Sequence, residues 1–258
     1  MKKTITTIWI AGMLAVPAQA ARFDRFTRWE TRAVQLMNPF ALKLNLRRIQ
    51  ISKSIDDPAN MGCIEIKNHQ AQMSIGADIF KDHPGLSEDG YAAILCHELG
   101  HIFAGAPIYM KDGANLSTEG QSDYWAAAVC LKKLFRAFPE PEIKTPQASV
   151  KSNCDKVYST NSEQQLCYRV AAAGMNAMNV LHKSLIDVIQ NDPAGFYKKP
   201  DFSNHETLFS DRYPTLQCRA ETFAAGAFCK TSESKWTSGS TNWACEAEIS
   251  KRPGCWYK

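Results

Sequence analysis

The apolar positions change period along the chain, and the changes mark its elements. Phe23, Phe26, Trp29, Ala33 and Met37 recur three to four residues apart, as on one helix face, and Asn38-Pro39 closes the run. Leu42, Leu44 and Leu46 then alternate with Lys43, Asn45 and Arg47, which predicts a strand. Ile49 and Ile51 continue it with the parity changed, so a bulge is expected near Arg47-Arg48. Asp56-Asp57-Pro58-Ala59-Asn60 reads as a turn, and residues 63–66 and 72–75 as two short strands around residues 67–71. A helix opens at Ser87-Glu88-Asp89-Gly90, with acids in its first turn as the helix dipole favours, and ends at Gly105-Ala106-Pro107. Residues 109–116 connect it to a second helix, from about Thr118, with Ser117 or Thr118 as cap, to Phe138. Further helices are expected over 163–190 and 214–227, the last with Pro214 in its first turn. Residues 140–152, 191–195 and 198–204 read as loops. The pattern predicts a mainly helical α+β fold, with a small sheet ahead of the helix at 88–104 and a helical C-terminal half.

Two features of the sheet and its surroundings stay open at this level. Its exposed edge either closes the fold or holds a peptide in extended form through backbone hydrogen bonds. His69, in the hairpin loop, and His83, in Asp82-His83-Pro84-Gly85, read as surface histidines, since neither has a helical partner at ligand spacing.

Composition adds a compartment. Met1-Lys2-Lys3, the apolar stretch from Ile5 to Val16 and the small residues of Ala18-Gln19-Ala20 predict a secretory signal peptide of bacterial type, cleaved after Ala20. The stretch is shorter than the ~20 apolar residues of a membrane span. No later segment qualifies as one, since residues 171–190 carry His182, Lys183 and Asp187. The expected location is periplasmic or outside the cell, with residues 21–258 forming one domain. Within it, 139–205 reads as a helical and loop insertion and 206–258 as a disulfide-stapled C-terminal part. The formal charge of +4 includes Lys2 and Lys3, which leave with the signal. With so small an excess and no basic stripe, a nucleic-acid partner is not expected. All nine cysteines lie beyond the signal, without a Cys-x-x-Cys pair. Several disulfides are therefore expected, with at least one thiol left over. Cys154–Cys167 and Cys245–Cys255, each bracketing a polar loop, are the favoured local pairs, and Cys96 and Cys130 are expected as buried thiols.

The chemistry concentrates at Cys96-His97-Glu98-Leu99-Gly100-His101, inside the apolar run of the helix at 88–104. Residues four apart share a helix face, so both imidazoles point one way and can take two positions of a tetrahedral metal. Glu98 then sits beside the ion, where a general base for water belongs. Glu119 and Asp123 repeat the spacing at the start of the next helix. Glu119 can complete a His₂Glu site with an open fourth position. Asp123 can accept a hydrogen bond from the second nitrogen of a ligand histidine.

His97-Glu98-x-x-His101 followed by Glu119-x-x-x-Asp123 resembles the gluzincin metallopeptidases, and among them the HtpX-like and CAAX-prenyl-endopeptidase-like family. The likeness covers about residues 40–135, with a weaker echo near 205–229, and the segment 140–200 lies outside it. It implies a zincin-like fold and a zinc endopeptidase acting on protein or peptide substrates, which the signal peptide would export. One Zn²⁺ would be held by His97, His101 and Glu119, with Glu98 as base and Asp123 behind a ligand histidine. The gap from His101 to Glu119 is short for that family, and its usual membrane helices are missing. Tyr213-Pro214 and Arg219 stand where the family has His-Pro and a downstream Arg. Tyr213 or His205 is thus either a donor to the reaction's oxyanion or part of a buttressed helix start. The competing expectations are an exported binding or folding-assistance module with a structural or latent zinc site, and a disulfide-stapled scaffold without metal.

Overall fold

The computed structural model describes residues 18–55, 61–76, 79–139, 147–185, 213–231, 236 and 243–257. The apolar signal stretch, the turn at 56–60, the loops at 191–195 and 198–204, and His205 lie outside them. The fold is a mainly helical α+β arrangement built around one buried helix.

Helix α1 (Ala18–Lys43) buries Phe26, Trp29, Ala33, Met37 and Ala41 on one stripe. It runs through Pro39, where the sequence predicted its end, and takes in Leu42 and Lys43, where a strand was expected. Packing outweighs the local signal. Proline removes one helical hydrogen bond, but the last turn buries Ala41 and sets Phe40 against Trp236, ring centroids 4.7 Å apart.

Strand β1 (Arg48–Ile55) begins only after that helix, so no bulge occurs at Arg47-Arg48; the register shifts instead between Lys53 and Ile55. β2 (Gly62–Lys67) and β3 (Gln70–Gly76) complete a sheet of order β1-β3-β2, with β3 parallel to β1 and antiparallel to β2. Asn68 and His69, at φ 50° and 58°, make a two-residue hairpin turn of the kind that matches strand twist. Lys67 and Gln70 close that turn, and hydrogen-bonded pairs alternate from there. Cys63 and Glu65 therefore direct their backbone groups at β3, while Gly62, Ile64 and Ile66 direct theirs to the open edge.

After the short helix α2 (Ile79–Asp82), Leu86 N–H donates to the His83 carbonyl (2.9 Å), and this turn carries His83 inward with Leu86. His83 is thus buried, against the surface position expected for it, whereas His69 is exposed. Ser87 then caps α3 (Glu88–Phe103), accepting from Gly90 N–H at 3.0 Å. Nearly every residue from Gly90 to Phe103 is buried, so α3 is the core helix, enclosed by neighbours on all sides.

The connection that follows is a hairpin, β4 (Ile108–Lys111) and β5 (Ala114–Ser117), turned by Asp112 and Gly113 at positive φ. Next comes one long rod: α4 (Glu119–Trp125), a π-helical turn (Ala126–Cys130) and α5 (Leu131–Ala137). Thr118 occupies the cap position of α4 without a side-chain capping bond. α6 (Ala148–Val157) begins within the stretch predicted as a loop and runs beyond it, and α7 (Asn161–Leu185) follows. Asp89 receives two bonds from Arg169, and Asn176 accepts from Ser87, so α7 is fastened to the start of α3. α8 (Leu216–Phe228) is capped by Thr215, one residue after Pro214 rather than with Pro214 in its first turn.

Four disulfides form: Cys96–Cys130, Cys154–Cys167, Cys218–Cys255 and Cys229–Cys245, leaving Cys63 free. The 154–167 pair is as expected, though it joins two helices. The expected Cys245–Cys255 pair does not form, because the C-terminal segment lies along α8 and gives each cysteine a partner there. Cys96 and Cys130 are bonded rather than thiols, since α3 and the π turn pack side by side, with Cα atoms 5.7 Å apart. Among the described residues no helix is long and apolar enough to cross a membrane. The disulfides fit an exported protein.

Lys132 lies in the core, its Nζ near the carbonyls of Gly226 and Cys229 and the Tyr158 hydroxyl. Burial pulls its pKa down to about 7, with Arg136 adding to the effect and Glu163 opposing it. Between that value and the ordinary lysine range the folded chain binds fewer protons than the unfolded one, so stability rises with pH there, by about 1.4 kcal/mol per pH unit. Denaturant titrations at pH 7.5 and 9.5 should show wild type gaining on Lys132→Met by about that slope; equal slopes would show that this lysine is charged in the fold.

Candidate metal centre

Three helices meet at the site. α3 supplies His97, Glu98 and His101 on adjacent faces, α4 supplies Glu119 and Asp123, and α8 supplies Arg219. α3 and α4 touch at Gly100, where a Cβ would lie 2.8 Å from the Ser122 backbone. A larger residue there would push apart the two helices that carry the candidate ligands.

The structure brings His97, His101 and Glu119 together: one donor atom from each lies within 4.8 Å of the others, a group able to hold a metal ion. His97 Nε2 is 3.2 Å from Glu119 Oε2, and His101 Nε2 is 3.7 Å from Oε1. The far nitrogens are committed elsewhere. His101 Nδ1 lies 2.7 Å from the Ser117 carbonyl, which only accepts, so Nδ1 carries the proton and Nε2 faces the group. Ser122 Oγ is 3.1 Å from the same nitrogen. His97 Nδ1 donates to Asp123 Oδ1 at 2.7 Å. Both rings therefore turn Nε2 to one point, as a metal requires.

Asp123 is fully buried and answers a second cation. Arg219 Nε donates to its Oδ2 at 2.7 Å and Nη2 to its Oδ1 at 3.0 Å, a bidentate pair. Arg219 Nη2 also stands 3.3 and 3.4 Å from the two nitrogens of His97, which places it over the ring face, and 3.6 Å from Glu119 Oε2. Sequence reasoning noted Arg219 but gave it no place in the site. The available signal was a lone cation inside the apolar run of α8 opposite a buried Asp.

The charges reinforce one another. Burial works against a charged His97, but Asp123 and a hydrogen bond donated to Glu119 more than offset it and raise the ring's pKa to about 10. The protonated ring donates one N–H to each carboxylate, from Nδ1 to Asp123 and from Nε2 to Glu119, and a metal ion would take the place of the proton on Nε2. Burial pushes Glu119 up, yet bonding to His97 and the charges of His97 and Arg219 hold it well below the carboxylate range. Asp123 is likewise lowered, by Arg219 and His97 against burial. Glu98 goes the other way: burial raises it, only partly opposed by the two histidines.

The group opens on a cleft of roughly 380 Å³ between β2, the β4–β5 hairpin, α3, α7 and α8. Glu98 and Tyr213 both line it. Tyr213 sits with its ring 5.7 Å from the Arg219 guanidinium carbon and is half exposed.

Asp123→Asn should weaken zinc binding by about 10–100-fold in chelator competition, since it orients His97. It should also destabilise the fold on the order of 3–5 kcal/mol, because Arg219 loses its full counter-charge. An unchanged zinc affinity would remove Asp123 from the centre. No family model, curated protein or solved structure matches the chain.

Proposed function

We propose that this chain is an exported zinc endopeptidase of the gluzincin kind, hydrolysing extended peptides in the cleft between β2 and the β4–β5 hairpin. The observation that carries the reading is the His97–His101–Glu119 group with both Nε2 atoms turned inward and Glu98 beside it in an open cleft. A zinc ion held by these three side chains would supply a Lewis acid for the scissile carbonyl and lower the pKa of a water towards ~7.

The protein's own groups supply the rest. Glu98, raised by burial, takes a proton from water as the water oxygen attacks the carbonyl carbon. The C–N bond then breaks, and the same proton passes from Glu98 to the leaving amine. Tyr213 keeps its hydroxyl proton: Arg219 lowers its pKa, but burial and the carboxylates of Glu119, Asp123 and Glu98 together raise it. It can therefore donate to the oxygen that gains charge. A closed structural zinc site would need a fourth protein ligand; among the described residues the group has three.

Substrate binding follows from the strand edge and the helix faces. Gly62 and Ile64 lie on the edge strand and line the cleft, and their outward backbone groups, unpaired within the sheet among the described residues, can pair with an extended peptide. A Cβ on Gly62 would lie 3.0 Å from Glu98 Oε1, so the peptide's carbonyl would pass close to the base. One helical turn from His97 and Glu98 stand Ala93 and Ile94, and one turn from Arg219 stands Phe223. With Ala177, Met178 and Leu181 of α7 they form an apolar end to the cleft, suited to an apolar side chain next to the cleaved bond.

Two experiments test this. Glu98→Gln should keep one zinc per chain by elemental analysis while losing about 10²–10⁴-fold in peptide hydrolysis; a variant that still cuts at the wild-type rate would end the base assignment. Met178→Trp should fill the apolar end and shift cleavage of a peptide library from large apolar residues to small ones, by about 10–200-fold in relative kcat/KM.

A further inference from the structure

α4 carries the site on one face and the chain's C-terminal segment on the other. Glu119 and Asp123 face the histidines, whereas Gly120, Gln121 and Tyr124 face residues 243–257. The Trp256 indole lies directly on Gly120, where any Cβ would overlap the ring. Arg252 Nη1 donates to Gln121 Oε1 at 3.2 Å and to the Ala106 carbonyl at 3.3 Å. Tyr124 donates its hydroxyl proton to the Ser250 carbonyl and accepts from Cys245 N–H at 3.2 Å. Trp243 Nε1 reaches the Ala104 carbonyl at 3.2 Å, at the end of α3.

The segment is fastened to α8 next to Arg219. Cys255 is bonded to Cys218, which precedes Arg219. Trp256 Nε1 donates to Thr222 Oγ1 at 2.9 Å, and that hydroxyl donates to the Cys218 carbonyl at 2.7 Å. Cys255, Trp256, Thr222 and Cys218 thus form a closed loop of contacts, with the ligand Glu119 one residue from Gly120 on one side and Arg219 one residue from Cys218 on the other.

We propose that residues 243–257 are a clasp that positions the metal centre: Trp256 seats α4 so that Glu119 reaches the two histidines, and the Cys218–Cys255 bond latches the clasp beside Arg219. α4 is the N-terminal end of the rod that runs on to Ala137, and Glu119 sits in its first turn, where Thr118 makes no side-chain capping bond. The exact placement of that turn therefore depends on what packs on it. Trp256 touches neither the ion nor a substrate; it acts through Glu119. The latch forms when the two thiols give up two electrons and two protons to a disulfide oxidant, which becomes two thiols. The centre therefore assembles fully only in an oxidising compartment. As control of a hydrolase, this rests on the proposed function; as control of a metal site, it rests on the geometry alone.

The test compares full-length chains by zinc competition against a chromophoric chelator and by the visible absorption of the cobalt(II)-substituted protein, which reports ligand geometry. Trp256→Ala, Gly120→Ala and the double variant Cys218→Ser/Cys255→Ser should each bind zinc about tenfold or more weakly, the range seen for lost ligand-orienting contacts, and should alter the cobalt spectrum. Trp256→Phe, which keeps a ring on Gly120, should restore most of the affinity. Cys154→Ser/Cys167→Ser, which opens the α6–α7 bond away from the site, should leave both readouts unchanged. If the clasp variants are folded by circular dichroism and match wild type in both, the clasp is refuted. The same holds if the control pair loses zinc equally, because the effect would then be general loosening. If the cysteine variant does not fold, the two Trp256 variants decide alone. A wild type that binds no zinc removes the clasp together with the metal centre, whereas zinc binding without hydrolysis overturns the peptidase reading and leaves the clasp standing.

Discussion

A carboxylate with no exposed surface, Asp123, joins the parts of this structure. Placing it in the core costs several kcal/mol unless its charge is matched, and the match comes from two directions. Arg219 grips both oxygens from α8, and His97 donates from α3. Three helices are thereby fixed to one point by charge-assisted bonds of 2.7–3.0 Å. None of the three groups can be removed alone, because each would leave a buried partner uncompensated. The same contacts settle the proton on His97 and so aim its other nitrogen at Glu119. Orientation of the His97 ring and cohesion of the helices are one interaction.

The second histidine is aimed by different means. His101 donates to a backbone carbonyl, that of Ser117, where β5 runs into α4. The β4–β5 hairpin therefore shapes one wall of the cleft and also sets the ring of a candidate ligand, so a shift in the hairpin would reach the centre through that bond. The contact at Gly100 has a similar double effect, since it sets the separation of the two ligand-bearing helices as well as their packing.

Much of this was legible in the chain because its signals are local. The i, i+4 spacing of His97 and His101, and again of Glu119 and Asp123, needs only helical geometry to put each pair on a face. The acids and Ser87 at the start of α3 are likewise short-range signals. What failed was decided at a distance. Leu42, Leu44 and Leu46 alternate like a strand, but α1 carries on past Pro39 because its last turn packs on Trp236, nearly two hundred residues away. His83 has no local signal for burial, and the turn that carries it inward with Leu86 is fixed by tertiary packing. Proximity in sequence suggested Cys245–Cys255, yet Cys218 and Cys229 stand three turns apart on one side of α8, at nearly the spacing of the two C-terminal cysteines. A segment lying antiparallel along that helix pairs both at once. That matched spacing was present in the sequence and is evident only once the two stretches are known to lie side by side.

The distribution of the site along the chain has a physical consequence. The motif residues fall within a short stretch, from His97 to Asp123. A fragment holding only this stretch would contain every proposed ligand and the proposed base, but not Arg219, the helix α7 that fastens the start of α3, or the segment that seats α4. In it Asp123 would keep His97 and lose its permanent counter-charge, which favours either a protonated carboxyl or an open, hydrated one. Neither state orients the imidazole as the buried ion pair does. The sequence therefore encodes the donors locally and their geometry globally, and the residues that hold the centre in one arrangement, from Arg169 and Asn176 through Arg219 to Trp256, lie well downstream of the donors themselves.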